Sequence, residues 1–137
     1  MKTILLVNES RVTLELIKVY LVVKDVRVLE ARDGAEALSI ARAERPDLIL
    51  CDLRLPTLDG LGLCREIGAD PTLCRTPIIL LATETDRETL RLCREAGAWD
   101  VLGKPVGPRD LHLAVWRHAG IAVGLADPAR SRLDRAG

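Results

Sequence analysis

The segment PDLILCDLRLPTLDG, residues 46–60, decides the fold. Its apolar run, Leu48–Cys51, is too short for a helix and too uniformly hydrophobic for a strand with one wet face. It reads as a strand buried on both sides, the kind that parallel sheets contain. The run ends on an acid, Asp52, and passes into a loop, Leu53–Gly60, before helical spacing resumes over about Leu61–Ile67. Upstream, Pro46 disfavours helical geometry at the residue before it and so stops whatever helix precedes it.

Working outward, the same alternation of short branched runs and longer helical stretches occurs five times, which is the pattern of parallel βα units. Thr3–Val7 is the first strand. Ser10 can cap a helix over Arg11–Val22, with Val12, Leu16, Val19 and Tyr20 as the inward stripe. Val26–Ala31 is the second strand, and Asp33-Gly34 turns into a helix reaching about Arg45 with Ala37, Leu38 and Ala41 inward. A connection, Gly68–Pro77, leads to the fourth strand, Ile78–Ala82. Asp86 caps a helix closed by Gly97 after about Ala96, Val101–Leu102 is a short fifth strand, and Pro108 opens a last helix to about Ala119. The expected fold class is α/β, a doubly wound parallel five-stranded sheet in one domain over residues 1–119. Residues 120–137 form a loose or partly helical tail.

Composition narrows the function. The 137 residues carry 20 Lys+Arg against 20 Asp+Glu, so no net field draws the chain onto nucleic acid or an anionic membrane. Aromatics are scarce (Tyr20, Trp99, Trp116, no Phe), which argues against a base-stacking surface. No apolar run approaches the ~18 residues of a membrane span, and none after Met1 resembles a signal peptide. The expectation is a cytoplasmic chain with no direct contact to nucleic acid or membrane. Cys51, Cys64, Cys74 and Cys93 lie too far apart for a CxxC pair, so they read as reduced thiols, with Cys51 pointing into the core.

Ligands of such sheets bind beyond the carboxyl ends of the strands, where strand order reverses. The first strand delivers Asn8 and Glu9 there, the third Asp52, the fourth Ala82 and Thr83, and the fifth Lys104. Carboxylates converging with one ammonium suit Mg²⁺, which needs only one or two carboxylates and keeps several waters. A carboxylate beside that cation and a lysine can itself accept a phosphoryl group, because both positive charges stabilise the transferring oxygens.

These segments, ILLVNES, PDLILCDLRLPTLDG, TPIILLATETD and AGAWDVLGKPVGPRDL, resemble the receiver domain of bacterial two-component response regulators over residues 1 to about 119. The resemblance implies strand order 2-1-3-4-5 and Asp52 as a phosphoacceptor charged by a histidine kinase, a phosphotransfer protein or a small phosphodonor. It implies Mg²⁺ held by Glu9, Asp52 and the Arg54 backbone carbonyl, with Asn8 acting weakly through water where the family usually has a second acid. It further implies phosphoryl contacts from Lys104 and the Thr83 amide, and a proline, Pro105, that is commonly cis. Arg54 and Glu84 fall at rim positions, where a salt bridge between them would partly lid the site. Asn8 otherwise reads as a satisfied buried polar group.

Two positions depart from the family pattern. Ala82 stands where a switch Thr or Ser is usual, and Val101 where its aromatic partner is usual. Thr83 does not replace the hydroxyl unless the strand has already ended, because a one-residue shift along a strand reverses the side chain. A hydroxyl bonded to a phosphoryl oxygen contributes roughly 1.5–3 kcal/mol, against the ~5.5 kcal/mol that a full two-state shift requires. The expectation is therefore intact phosphorylation with an altered or smaller structural response.

The resulting function is a phosphoacceptor signalling module rather than a dedicated enzyme, working by contact with a downstream protein target. The alternative is a pseudo-receiver, a phosphorylation-independent docking or dimerisation scaffold. Receivers often pair through the last two helices, where Arg87, Arg91, Arg94, Asp100 and Arg109 could supply charges, and exposed Trp99 and Trp116 would mark a partner surface there. Flavin binding lacks a hydroxyl-rich loop after the first strand, and a dehalogenase-type phosphatase would need an acid where Arg54 stands.

Overall fold

The computed structural model describes residues 1–22 and 25–123. Five strands and five helices alternate along the chain: β1 (Lys2–Val7), α1 (Arg11–Tyr20), β2 (Val26–Ala31), α2 (Gly34–Glu44) and β3 (Leu48–Asp52) form the first half. The second half comprises α3 (Gly60–Ala69), β4 (Ile78–Ala82), α4 (Arg87–Ala96), β5 (Asp100–Gly103) and α5 (Pro108–Ala119). The strands form one parallel sheet in the order β2-β1-β3-β4-β5, as expected. Strand order reverses between β1 and β3, and that is where a crevice must open beyond their carboxyl ends.

Both faces of the sheet are covered, which is why β3 and β4 are buried along their whole length. One face, with Leu5, Val7, Ile49, Cys51, Ile78 and Leu80, packs against α2, α3 and α4. The other, with Ile4, Leu6, Leu48, Leu50, Ile79 and Leu81, packs against α1 and α5. Helix boundaries follow local chemistry. Ser10, Asp33 and Asp59 each accept a backbone N–H at a helix start, and Gly97 and Gly120 close α4 and α5 in the left-handed region.

The inward stripe expected for α1 is overturned. Leu14, Ile17 and Leu21 face the core, while Val12, Leu16 and Val19 are exposed and Tyr20 is only partly buried. The two stripes have similar helical spacing, so periodicity alone does not phase this helix. The Leu-Ile-Leu stripe carries more apolar area than one containing two valines, and burying it lowers the free energy further. Ile17→Ala is accordingly expected to cost about 2–4 kcal/mol, whereas Leu16→Lys changes stability by less than about 0.5 kcal/mol. Paired urea midpoints check this, and equal losses at the two sites would refute the assignment.

The start of the expected tail is part of the fold, because Ile121 and Val123 are buried against the α1–α5 face. The rest of that tail, residues 124–137, lies outside the described residues. Trp99 is half exposed beside α5, with its ring edge-on to His118, and Trp116 is partly buried. Among the described residues no helix is long and apolar enough to cross a membrane.

Candidate functional site

Parallel register aligns the strand ends and so assembles the site. β1 and β3 pair up to Val7↔Cys51, so Asn8 follows β1 at the edge where Asp52 ends β3. β3 and β4 pair up to Asp52↔Leu81, and β4 and β5 up to Ala82↔Gly103, which places Lys104 immediately past the same edge. The Lys104 backbone N–H donates to the Ala82 carbonyl at 2.9 Å, and the Leu53 N–H to the Leu81 carbonyl at 2.9 Å. Backbone bonds thus fix the chain on each side of the acid before any side chain is considered.

Asp52 has only 11% of its side chain exposed, and its Oδ1 lies 2.5 Å from the Lys104 ammonium. The two belong to a small cleft of about 50 Å³ whose other walls are Leu53, Arg54, Thr83, Glu84 and Thr89. That volume suits a hydrated ion or a PO₃ unit; nucleotide- and flavin-sized ligands need several hundred Å³. The Lys104-Pro105 peptide is cis, as the resemblance implied.

Several expected site residues are placed differently from their sequence reading. Asn8 is buried, but only half satisfied. Its Oδ1 accepts the Ser10 N–H at 2.9 Å, whereas its Nδ2 has no partner. Such a buried donor costs about 1–3 kcal/mol when it stays unmatched. Arg54 and Glu84 both wall the cleft, yet among the described residues no ion pair joins them, so the expected lid is not closed. Thr83 lies beyond the end of β4 and is exposed in the cleft wall, so the alternation rule no longer binds it. Ala82 is buried and Val101 packs into the α2–α4 side of the core, so neither contributes a polar group.

Two contributors escape the sequence reading. Arg32, just past β2, donates from Nε to the Glu9 backbone carbonyl at 2.7 Å and so brings a cation to the acid edge. Its signal is position alone, at the one strand end, that of β2, from which no site residue is expected. Thr57 holds the loop after β3 against α2. Its hydroxyl donates to Asp33 Oδ1 at 3.1 Å and accepts the Ala35 N–H at 3.2 Å, with its backbone in the left-handed region at φ 64°. Nothing in the sequence marks a β-branched residue for that conformation.

None of the four cysteines lines the Asp52–Lys104 cleft. Cys51, Cys64 and Cys93 are buried in one cluster. Burial pushes the Cys51 thiol well above its usual range and the Cys64 thiol up to about 12, so both stay protonated at neutral pH. Among the described residues no group of three or more His, Cys, Asp or Glu could hold a metal, and Glu9, exposed just past β1, is not among the residues lining the Asp52–Lys104 cleft. Carboxylate and carbonyl oxygens form a hard donor set that fits Mg²⁺ rather than a thiophilic metal.

The doubly wound sheet thus pairs a middle-strand acid with an edge-strand lysine over a small cleft. The chain belongs to the response regulator receiver domain family, whose sequence profile matches residues 4–116. It is 34% identical over 125 residues to the alkaline phosphatase synthesis transcriptional regulatory protein PhoP of Bacillus subtilis, covering 89% of this chain and 51% of that protein. It is 42% identical over 79 residues to the DNA-binding response regulator MtrA of Mycobacterium tuberculosis, covering 58% of this chain and 33% of that one. The chain thus spans between a third and a half of the length of these relatives.

Among solved structures, a response regulator of Chloroflexus aurantiacus superposes with a TM-score of 0.82 at 31% identity, over 88% of this chain and 98% of that one. The receiver domain of sensor histidine kinase PA1611 from Pseudomonas aeruginosa superposes with a TM-score of 0.80 at 36% identity over the same shares. That structure is described with a magnesium ion coordinated in its active-site cleft.

Proposed function

We propose that Asp52 is the phosphoacceptor, receiving a phosphoryl group from a histidine kinase, a phosphotransfer protein or a small phosphodonor. The observation that carries this reading is the contact between nearly buried Asp52 and Lys104 in a cleft of PO₃ size. In the transfer the Asp52 oxygen forms the new bond to phosphorus as the donor's bond breaks, and the leaving group departs with that electron pair. Lys104 neutralises charge on the phosphoryl oxygens, and the Thr83 amide, past the end of β4, donates to one of them. Glu9, Asp52 and the Arg54 carbonyl hold Mg²⁺, with Asn8 acting at most through water. When bound, the cation supplies further neutralisation of the transferring oxygens. The chain assists its own phosphorylation and dephosphorylation and works in the cytoplasm as a signalling component.

Partner contact has a candidate surface. The exposed stripe of Val12, Leu16 and Val19 on α1 begins three residues after Glu9, so a helix of the phosphodonor protein could lie along it while reaching the cleft. Output passes to a downstream protein, or to a second copy through α4 and α5 beside half-exposed Trp99. With Ala82 and Val101 at the switch positions, the response between site and that face is reduced. None of the relatives named above favours a phosphorylation-independent scaffold.

The test is incubation with phosphoramidate and Mg²⁺ followed by intact mass. The wild-type chain is expected to gain one phosphoryl unit and Asp52→Asn none. An adduct of equal yield on Asp52→Asn would overturn the assignment, and no adduct on either would overturn the phosphoacceptor reading itself.

A further inference from the structure

Asn8 Nδ2 is the one buried side-chain polar atom without a partner among the described residues. The residue is 3% exposed; its backbone N–H donates to the Ala31 carbonyl and its Oδ1 accepts from Ser10. The Ser10 bond fixes the carboxamide, because only its oxygen can accept an N–H. The two Nδ2 protons are therefore turned away from Ser10, one residue past the end of β1, whose last pair Val7↔Cys51 adjoins Asp52. A buried amide donor kept in this orientation calls for an acceptor that arrives from outside the resting structure.

Charge on this edge points the same way. Arg32 is hydrogen-bonded to the Glu9 carbonyl, and Asn8 contributes a neutral donor where a carboxylate would contribute a negative acceptor. A carboxylate there would attract a divalent cation and repel an incoming phosphoryl group; a neutral carboxamide does neither, and its N–H groups can donate to the anion.

We propose that Asn8 is a specificity-determining residue whose Nδ2 donates to an oxygen of the phosphoryl group arriving at Asp52. Its carboxamide thereby exchanges divalent-cation affinity for direct anion binding. The inference rests on Asp52 being the phosphoacceptor. Asn8 keeps both protons throughout; the bond made is Asp52 oxygen to phosphorus and the bond broken is phosphorus to the protonated nitrogen of phosphoramidate, which leaves with the bonding pair as ammonia.

The experiment uses the full chain and two variants, Asn8→Ala and Asn8→Asp. Calorimetric titration with Mg²⁺ alone is expected to show about tenfold tighter binding for Asn8→Asp than for wild type, because the added carboxylate attracts the cation. At saturating Mg²⁺, Asn8→Ala is expected to gain phosphate from phosphoramidate about tenfold more slowly than wild type, the loss of one charge-assisted donor. An unchanged far-UV circular-dichroism spectrum of Asn8→Ala reports that the domain is still folded. Wild-type phosphorylation rates in Asn8→Ala, or Mg²⁺ affinity in Asn8→Asp no tighter than wild type, would overturn the proposal. Absence of any adduct on all three proteins would instead strike the phosphoacceptor assignment.

Discussion

Lys104→Met is expected to slow phosphate uptake from phosphoramidate by about 10²–10³-fold, the usual cost of removing one group that stabilises charge in the transition state. It is also expected to lower folding stability by about 1–2 kcal/mol. That is below the ~3–5 kcal/mol for breaking a fully buried ion pair, because 30% of the lysine side chain already meets solvent. The asymmetry of the pair makes the prediction specific. Asp52, with 11% of its side chain exposed, cannot turn to water when its cation is removed, whereas the Lys104 ammonium can do so when the acid is neutralised. Asp52→Asn is therefore expected to abolish phosphorylation with a stability change under about 1 kcal/mol. Urea midpoints and a mass time course on both variants check this. A Lys104→Met protein that takes up phosphate at the wild-type rate would remove the lysine from the chemistry.

What the sequence discloses and what it conceals divide along physical lines. The doubly wound sheet is readable because Leu48–Cys51 and Ile78–Ala82 are buried on both faces, and that leaves a compositional mark that needs no phase. Asp52 and Lys104 are readable because a strand end fixes position without reference to side-chain direction. The orientation of α1 is not, since two apolar stripes compete and only tertiary contact chooses between them. Asn8 can be recognised as buried, yet its unmatched nitrogen depends on what Ser10 takes from the carboxamide, a local geometry with no periodic signature. Thr83 is readable by position, but its side-chain direction is not: the alternation rule holds inside a strand, and β4 ends at Ala82, one residue before it. Ile121 and Val123 read as part of a tail because two isolated apolar residues after Gly120 carry no period, although both are buried.

Gly34→Ala is expected to destabilise the fold by about 3 kcal/mol and, at the same time, to slow phosphate uptake at a site it does not touch. A Cβ at Gly34 would stand 1.8 Å from the Leu58 carbonyl oxygen and 2.6 Å from the Leu58 Cβ, so backbone would have to move. The obstructed segment is the loop that starts from Asp52. Its Pro56 carbonyl accepts the Gly34 N–H at 3.3 Å, Thr57 bonds to Asp33, and the Gly60 N–H returns to the Leu53 carbonyl at 2.9 Å. Pushing this loop off α2 displaces Leu53 and Arg54, two walls of the cleft, and a displacement of about 1 Å from a reacting geometry can cost about 10²-fold in rate. Gly68 is the control. It sits near the end of α3, where an added Cβ would meet nothing within 4 Å, so Gly68→Ala should leave phosphate uptake unchanged and add about 0.5–1 kcal/mol through helix propensity. If Gly34→Ala lowers the urea midpoint but phosphorylates at the wild-type rate, the loop supports the fold without positioning the acid. Coupling between α2 and the phosphoacceptor would then be absent.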